Sequence, residues 1–180
     1  QSSEGILREV LDCYGTVVEP ERTSQVRMQR AQFLGVYSPV RRCGRTSFAL
    51  MLGQVLAADS RVLYLNFECC AGLTEMLGKQ ADNTEFASLL YYLQESKEQF
   101  LGRLYQAAEC INGMDFILPA SCGYDLYGIA REEWRRLLDL LDDGQYDVIL
   151  LDLSDGVQGL FDVLRRCTRV YTIVREDGFA

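Results

Sequence analysis

Residues 38–47 read SPVRRCGRTS and lie between the apolar run FLGVY and the largely apolar stretch FALMLGQVL. A phosphate-binding loop has the pattern G-x-x-x-x-G-K-S/T between a strand and a helix, and its backbone amides hold phosphate oxygens. Aligning that pattern on Gly44 places Pro39 at the first glycine, Arg45 at the lysine and Thr46 at the magnesium-binding hydroxyl. Arginine keeps the positive charge, but its planar guanidinium cannot act as a compact ammonium group.

The arginines of this segment would surround the amino end of the following helix, where backbone amides attract anions. The predicted cofactor-binding residues are Arg41, Arg42, Cys43, Gly44, Arg45, Thr46 and Ser47. Pro39 offers no amide hydrogen, and Arg41 adds bulk to a loop that is usually built of small residues. The segment therefore favours phosphate or nucleotide binding over efficient phosphoryl transfer. The alternative is an ordinary strand–turn–helix corner in which Thr46 or Ser47 only caps the helix.

Acidic residues follow two other predicted strands. The segment YDVILLD ends in Asp152, the pattern in which an aspartate after a buried strand orders magnesium or its waters. Glu68 follows VLYLNF and could order a water or magnesium together with Thr46 and Asp152. The predicted catalytic residues are therefore Arg45, Glu68 and Asp152, and the predicted metal ligands are Thr46 and Asp152. Alternatively, Asp152 is an ordinary residue after a buried strand and Glu68 a solvated loop charge.

The composition excludes several classes of function. A chain of 180 residues, 48% hydrophobic and 24% charged, fits a single globular domain. Its net charge of −8 argues against a general nucleic-acid surface or attraction to an anionic membrane. No apolar run approaches the roughly 18 residues of a membrane span. Without histidine, triads based on that residue are excluded and a zinc site is not expected. Seven scattered cysteines favour reduced thiols in the cytoplasm.

Apolar runs alternate with helical periodicity along most of the chain. The predicted strands are 33–37, 61–66, 114–118, 146–152 and 168–174, and the predicted helices are 45–58, 73–78, 85–92, 95–109, 131–143 and 157–167. This alternation predicts an α/β domain at 32–180, with a mostly parallel sheet of about five strands and helices on both faces. Residues 1–31 are predicted to form a helix over 4–14 and a polar linker. Ligands in such folds bind at the carboxyl ends of the strands, here 38–46, 67–72, 119–130 and 153–157.

Four segments together carry a family resemblance: SPVRRCGRTSFAL, VLYLNFE, YDVILLDLSDG and RVYTIVRED. They resemble the ParA/MinD class of P-loop ATPases, and within it the atypical TadZ/CpaE-type branch of pilus-assembly localisation proteins. The resemblance covers about residues 30–180. It implies a P-loop NTPase-like fold, ATP and Mg²⁺ as ligands, face-to-face homodimerisation, and protein partners from an assembly or secretion system. It also implies a receiver-like domain before this chain and further segments after it, which would contact the base.

The same resemblance implies weakened catalysis. The family's lysine that reaches the partner's nucleotide is Val40 here, a loop glycine is Arg41, the loop lysine is Arg45, and the first acidic position after the second strand is Asn66. These departures indicate a degenerate Walker A loop with weak or no ATP hydrolysis.

Three interpretations follow. In the first, the chain is a degenerate ParA/MinD-like domain that acts as a localisation or assembly scaffold, without nucleic-acid binding or direct membrane insertion. In the second, it is an active magnesium-dependent ATPase in which Arg45 replaces the loop lysine. The third is an unrelated doubly wound binding domain of flavodoxin type, with a different strand order and no anion at the helix that begins near Arg45.

Overall fold

The computed structural model describes residues 30–68, 86–120 and 126–174 of the chain. The strands of these ranges form one six-stranded sheet and are β1 Gln32–Tyr37, β2 Val62–Asn66, β3 Glu109–Ile111, β4 Met114–Ile117, β5 Val148–Leu153 and β6 Arg169–Thr172. The helices are α1 Arg45–Leu56, α2 Phe86–Tyr91, α3 Lys97–Ala107, α4 Arg131–Asp142 and α5 Leu160–Arg166, with a 3₁₀ turn at Tyr92–Gln94. The predicted α/β architecture with a mostly parallel sheet is confirmed.

The sheet has the strand order β3-β4-β2-β5-β1-β6, and every pair is parallel except β3–β4. β5 lies between β1 and β2, and its residues 148–153 are all buried. Val36 of β1 and Asn66 of β2 are both in register with Asp152 of β5. The carboxyl ends of these three strands therefore meet at one edge of the sheet, which brings the loops that follow them together.

The sheet contains one strand, β3, besides the five that the sequence located. The predicted helix over 95–109 includes only the first residue of β3, and no predicted element covers residues 110–113; in the structure α3 ends at Ala107 and β3 follows. Asn112 and Gly113 have φ angles of 49° and 83°, and they connect β3 to its antiparallel partner β4. An Asn-Gly pair favours a tight hairpin turn, because both residues tolerate the left-handed conformation. The preference of Asn112 and Gly113 for a hairpin turn therefore favours a strand at 109–111 over a continuation of the helix before it.

The two faces of the sheet are covered unequally. On one face α2, α3, α4 and α5 pack over a core that includes Leu63, Phe100, Trp134, Leu137 and Leu151. On the other face, α1 packs over the alternate strand residues, which include Val36, Tyr64 and Leu150. This alternation is what parallel strands buried on both faces require.

The start of α3 agrees with its local capping signal. Ser96 caps α3, because its hydroxyl accepts a hydrogen bond from the amide of Gln99 while the Gln99 side chain accepts one from the Ser96 amide.

The predicted helices at 4–14 and 73–78, and almost all of the predicted linker up to residue 31, lie outside the described residues. No helix within 30–68, 86–120 or 126–174 is long and apolar enough to span a membrane.

Candidate functional site

The loop between β1 and α1 has the backbone of a tight strand-to-helix connection. Arg42 and Gly44 have φ angles of 57° and 82°, the left-handed region that glycine adopts at little cost. The Ser38 side chain donates to the carbonyl oxygen of Val40 at 2.8 Å and accepts from the Val40 amide at 3.0 Å. α1 begins directly after Gly44, whose carbonyl accepts the amide of Phe48 at 2.9 Å. The loop therefore lies where the sequence motif predicted it.

The side chain of Arg45 turns into the protein, where it joins the two predicted acidic residues. Its Nε donates to Asp152 Oδ1 at 2.5 Å, and its Nη2 donates to Glu68 Oε2. The Arg45 side chain is 10% exposed and that of Asp152 is 0% exposed, whereas Glu68 is 37% exposed. The three predicted catalytic residues are thus in direct contact, with one cation bridging two carboxylates.

The second carboxylate oxygen of Asp152 belongs to a buried polar network. Oδ2 accepts from the Tyr64 hydroxyl at 3.0 Å and from Asn66 Nδ2 at 3.3 Å, and that same amide nitrogen is 3.0 Å from the Tyr64 hydroxyl. The Asn66 Oδ1 accepts the backbone amide of Glu68 at 2.7 Å. This network fixes the orientation of Asp152 and the start of the segment after β2.

Sequence reasoning missed Tyr64, because its place in the apolar run RVLYLN marked it only as a core residue. The signal that could have revealed it is its spacing. Tyr64 and Asn66 are two residues apart on one strand and therefore lie on the same face. A buried hydroxyl next to a buried amide requires a shared polar partner, and Asp152 on the neighbouring strand is that partner.

The electrostatics of the cluster follow from burial and pairing. Burial raises the pKa of Asp152 above its ordinary value, and the charge of Arg45 with hydrogen bonds from Thr46 and Tyr64 offsets only part of that rise. Burial by itself would lower the pKa of Arg45, but the charges of Asp152 and Glu68 outweigh it and raise that pKa. Burial and the Asp152 charge raise the pKa of Tyr64 well above its ordinary value, so Tyr64 is a neutral donor.

The other residues of the loop lie nearer the solvent. Arg41 pairs with Asp155 at 3.3 Å, and both side chains are exposed. Arg42 forms no ion pair with the part of the chain that the structure describes, Cys43 is a half-buried free thiol, and Ser47 is exposed. Arg41 and Arg45 thus pair with three carboxylates, those of Glu68, Asp152 and Asp155.

A separate groove of about 970 Å³ lies on the α2–α3 side of the molecule, where Leu90, Tyr91, Tyr92, Arg103 and Ile129 contribute to its walls. It shares no residue with the loop after β1. The charged cluster and this groove are therefore distinct features.

The described fold is similar to the folds of several solved ATPases. Among solved structures, the chain superimposes on a ParA-family ATPase from Chlorobium tepidum with a TM-score of 0.64 and 16% identity, over 78% of this chain and 59% of that one. It matches a plasmid partition protein from Borrelia burgdorferi bound to AMPPNP with a TM-score of 0.64 and 15% identity, over 84% and 66% of the two chains. The septum site-determining protein MinD from Pyrococcus horikoshii, complexed with Mg-ADP, gives 0.56 and 17%, over 82% and 59%.

At these low identities, the TM-scores show a likeness in fold alone. The chain spans 59–66% of the length of these three structures. The likeness agrees with the resemblance of the sequence to ParA and MinD and does not support the flavodoxin-like alternative. No protein-family model and no curated protein sequence matches the chain.

Magnesium is present in three of the solved complexes with a similar fold, so its fit to the present residues can be tested. A magnesium ion requires near-octahedral oxygen ligands at about 2.0–2.1 Å. Both oxygens of Asp152 already accept hydrogen bonds, one of them from a guanidinium. Within 30–68, 86–120 and 126–174, no group of three or more acidic or cysteine side chains could hold a metal ion. In this arrangement, a magnesium ion at Asp152 Oδ1 would have to replace the guanidinium of Arg45.

Proposed function

We propose that this chain is a degenerate ParA/MinD-like NTPase domain of the TadZ/CpaE type, which acts as a localisation or assembly scaffold with weak or no ATP hydrolysis. The observation that carries the proposal is the position of Arg45. The residue at the place of the catalytic lysine binds the protein's own Asp152 and Glu68.

The contacts of Arg45 explain why hydrolysis would be weak. The lysine of a phosphate-binding loop has to reach the β and γ phosphates of the nucleotide. Hydrogen bonds to charged groups contribute about 1.5–3 kcal/mol each, so a nucleotide that recruits Arg45 must first break two such bonds. It would also leave Asp152 buried and without its counter-ion, which is strongly unfavourable. ATP and Mg²⁺ are therefore expected to bind weakly or not at all.

A scaffold requires a binding surface rather than turnover. We expect protein partners from an assembly or secretion system and a cytoplasmic location, in keeping with the reduced cysteines. The fold neighbours include proteins named for plasmid partition and for determining the septum site, which supports a positioning role. A homodimer remains part of the proposal, although Val40 occupies the place of the lysine that would reach across it.

The second candidate function is an active magnesium-dependent ATPase in which Arg45 replaces lysine. The observation in its favour is the loop backbone, which keeps its left-handed residues and a short connection from β1 to α1 despite the substitutions. Solved structures with this fold hold AMPPNP or Mg-ADP.

Calorimetric titration of ATP with Mg²⁺, combined with phosphate release, separates the two candidates. For the natural chain we expect a dissociation constant for ATP above about 1 mM and no release of phosphate. The reason is that Arg45 is bound by Asp152 and Glu68. The double reversion Arg41→Gly plus Arg45→Lys should gain ATP binding, since it restores the consensus residues at both positions. The matched control is Arg61→Lys, since Arg61 pairs with Asp147 outside the loop. Turnover by the natural chain that disappears in Thr46→Ala and in Asp152→Ala would establish the ATPase instead.

A further inference from the structure

We infer that Arg45 is a built-in counter-cation that closes this site to divalent metals. The inference rests on the proposed function for the location of the site. It adds to that function the exclusion of Mg²⁺ and other divalent ions by a side chain of the protein itself.

The first argument comes from the available oxygen atoms. Asp152 Oδ1 is bound by the Arg45 guanidinium, and Oδ2 is shared by Tyr64 and Asn66. Glu68 contributes its Oε2 to the same guanidinium. A divalent ion at Asp152 would have to take the place of the guanidinium on Oδ1 or of the Tyr64 and Asn66 donors on Oδ2.

The second argument comes from charge. A divalent ion is attracted to a site by uncompensated carboxylates, and the number of such charges sets its affinity. Here one guanidinium already neutralises part of the Asp152–Glu68 pair. A magnesium ion bound to Asp152 would also lie next to that guanidinium, and like charges in a buried site repel strongly.

The third argument is that Arg45 is held in place. It is the first residue of α1, and its two carboxylate partners come from β5 and from the segment after β2. The Asp152 side chain has no exposed surface, so a departing guanidinium would leave a buried charge without a partner.

Manganese binding measured by electron paramagnetic resonance tests this directly, because free and bound Mn²⁺ are distinguished without any nucleotide. The natural chain and Asp152→Asn should show the same Mn²⁺ binding, which then reflects only the acidic surface. Arg45→Met should gain one additional Mn²⁺ site, because it leaves two carboxylates without their guanidinium. We expect this site to bind Mn²⁺ at least about tenfold more tightly than the acidic surface does. Arg45→Met combined with Asp152→Asn should lose that site again. The matched control is Arg61→Met, which removes one arginine charge outside the cluster.

A stoichiometric Mn²⁺ site in the natural chain that Asp152→Asn abolishes would overturn the inference. This comparison does not depend on Arg45→Met, so it decides the question even if that variant fails to fold. Calorimetry with inorganic phosphate and with ATP, in EDTA and in Mg²⁺, separates the inference from the proposed function. Tight ATP binding that is equal in EDTA and Mg²⁺ contradicts the expected weak binding but supports a metal-free site. Binding strengthened about tenfold or more by Mg²⁺ contradicts the metal-free site.

Discussion

The chemistry of arginine explains why residue 45 can bridge two acids. A guanidinium carries five N–H donors in a rigid plane, so different nitrogens can serve different carboxylates at the same time. Arg45 uses Nε for Asp152 and Nη2 for Glu68. A lysine ammonium has three donors at a single point and suits one compact phosphate contact. Arg45 therefore acts as an internal cation that joins two acidic side chains.

At the same scale, we predict that Arg45→Met lowers the free energy of unfolding by about 3–5 kcal/mol, because it leaves Asp152 as an uncompensated buried charge. Urea denaturation followed by circular dichroism measures this change. The double variant Arg45→Met plus Asp152→Asn should be less destabilised than the sum of the single variants, since it removes both members of the pair. Strict additivity of the two changes would show that the pair is not coupled in solution.

The packing of α1 on the sheet depends on a close approach at one glycine. A Cβ atom at Gly53 would lie 2.2 Å from Met114 Sδ and 3.2 Å from Leu150 Cδ2. Met114 is itself buried, so it has little room to move aside. In contrast, a Cβ atom at Gly102 in α3 would meet nothing within 4 Å. The two glycines are therefore both inside helices but differ in their surroundings.

This difference gives a matched pair of substitutions at the scale of the element. Gly102→Ala should stabilise the protein by about 0.5–1 kcal/mol, because alanine is the better helix former and the site is open. Gly53→Ala should be destabilising, since overpacking a filled core typically costs about 1–3 kcal/mol and exceeds that gain. Thermal unfolding of both variants provides the measurement. An equal rise of the two melting temperatures would mean that α1 can shift away from the sheet.

For the whole molecule, the distribution of charge limits the classes of partner. The chain has 26 acidic and 18 basic residues, and 16 of the basic residues are arginines. Many of these arginines are already paired: Asp162 alone is within ion-pair distance of Arg131, Arg135 and Arg165. Little positive charge therefore remains unopposed among the described residues of a chain whose net charge is −8.

We therefore predict that this chain does not bind duplex DNA at physiological salt, because non-specific binding depends on releasing counterions with clustered lysine and arginine. Fluorescence anisotropy with a labelled duplex at about 50 mM and 150 mM salt tests this, alongside a basic DNA-binding protein as the positive control. Binding that weakens steeply with salt would reveal a basic surface and contradict the prediction.

The sequence by itself determined most of the architecture. Apolar runs of five to seven residues separated by helical periodicity located five strands and the helices that cover them, because strand and helix periodicity are local properties. The short strand β3 was missed, since the helical pattern of α3 continued into it and the Asn112–Gly113 turn was not weighed. The loop after β1 was found because glycine and the residues around it mark the start of a helix directly.

Only the tertiary structure decided what the residues of that loop do. Arg45 and Asp152 are 107 positions apart in the sequence, and Tyr64 and Asp152 are 88 positions apart. Nothing in the local pattern indicates whether Arg45 faces a bound phosphate or its own carboxylates. The parallel register of β1, β5 and β2 brings these side chains to one edge, and burial of Asp152 then requires a cation beside it. Long-range pairing in the sheet thus gave Arg45 its partner, whereas the sequence supplied only its charge.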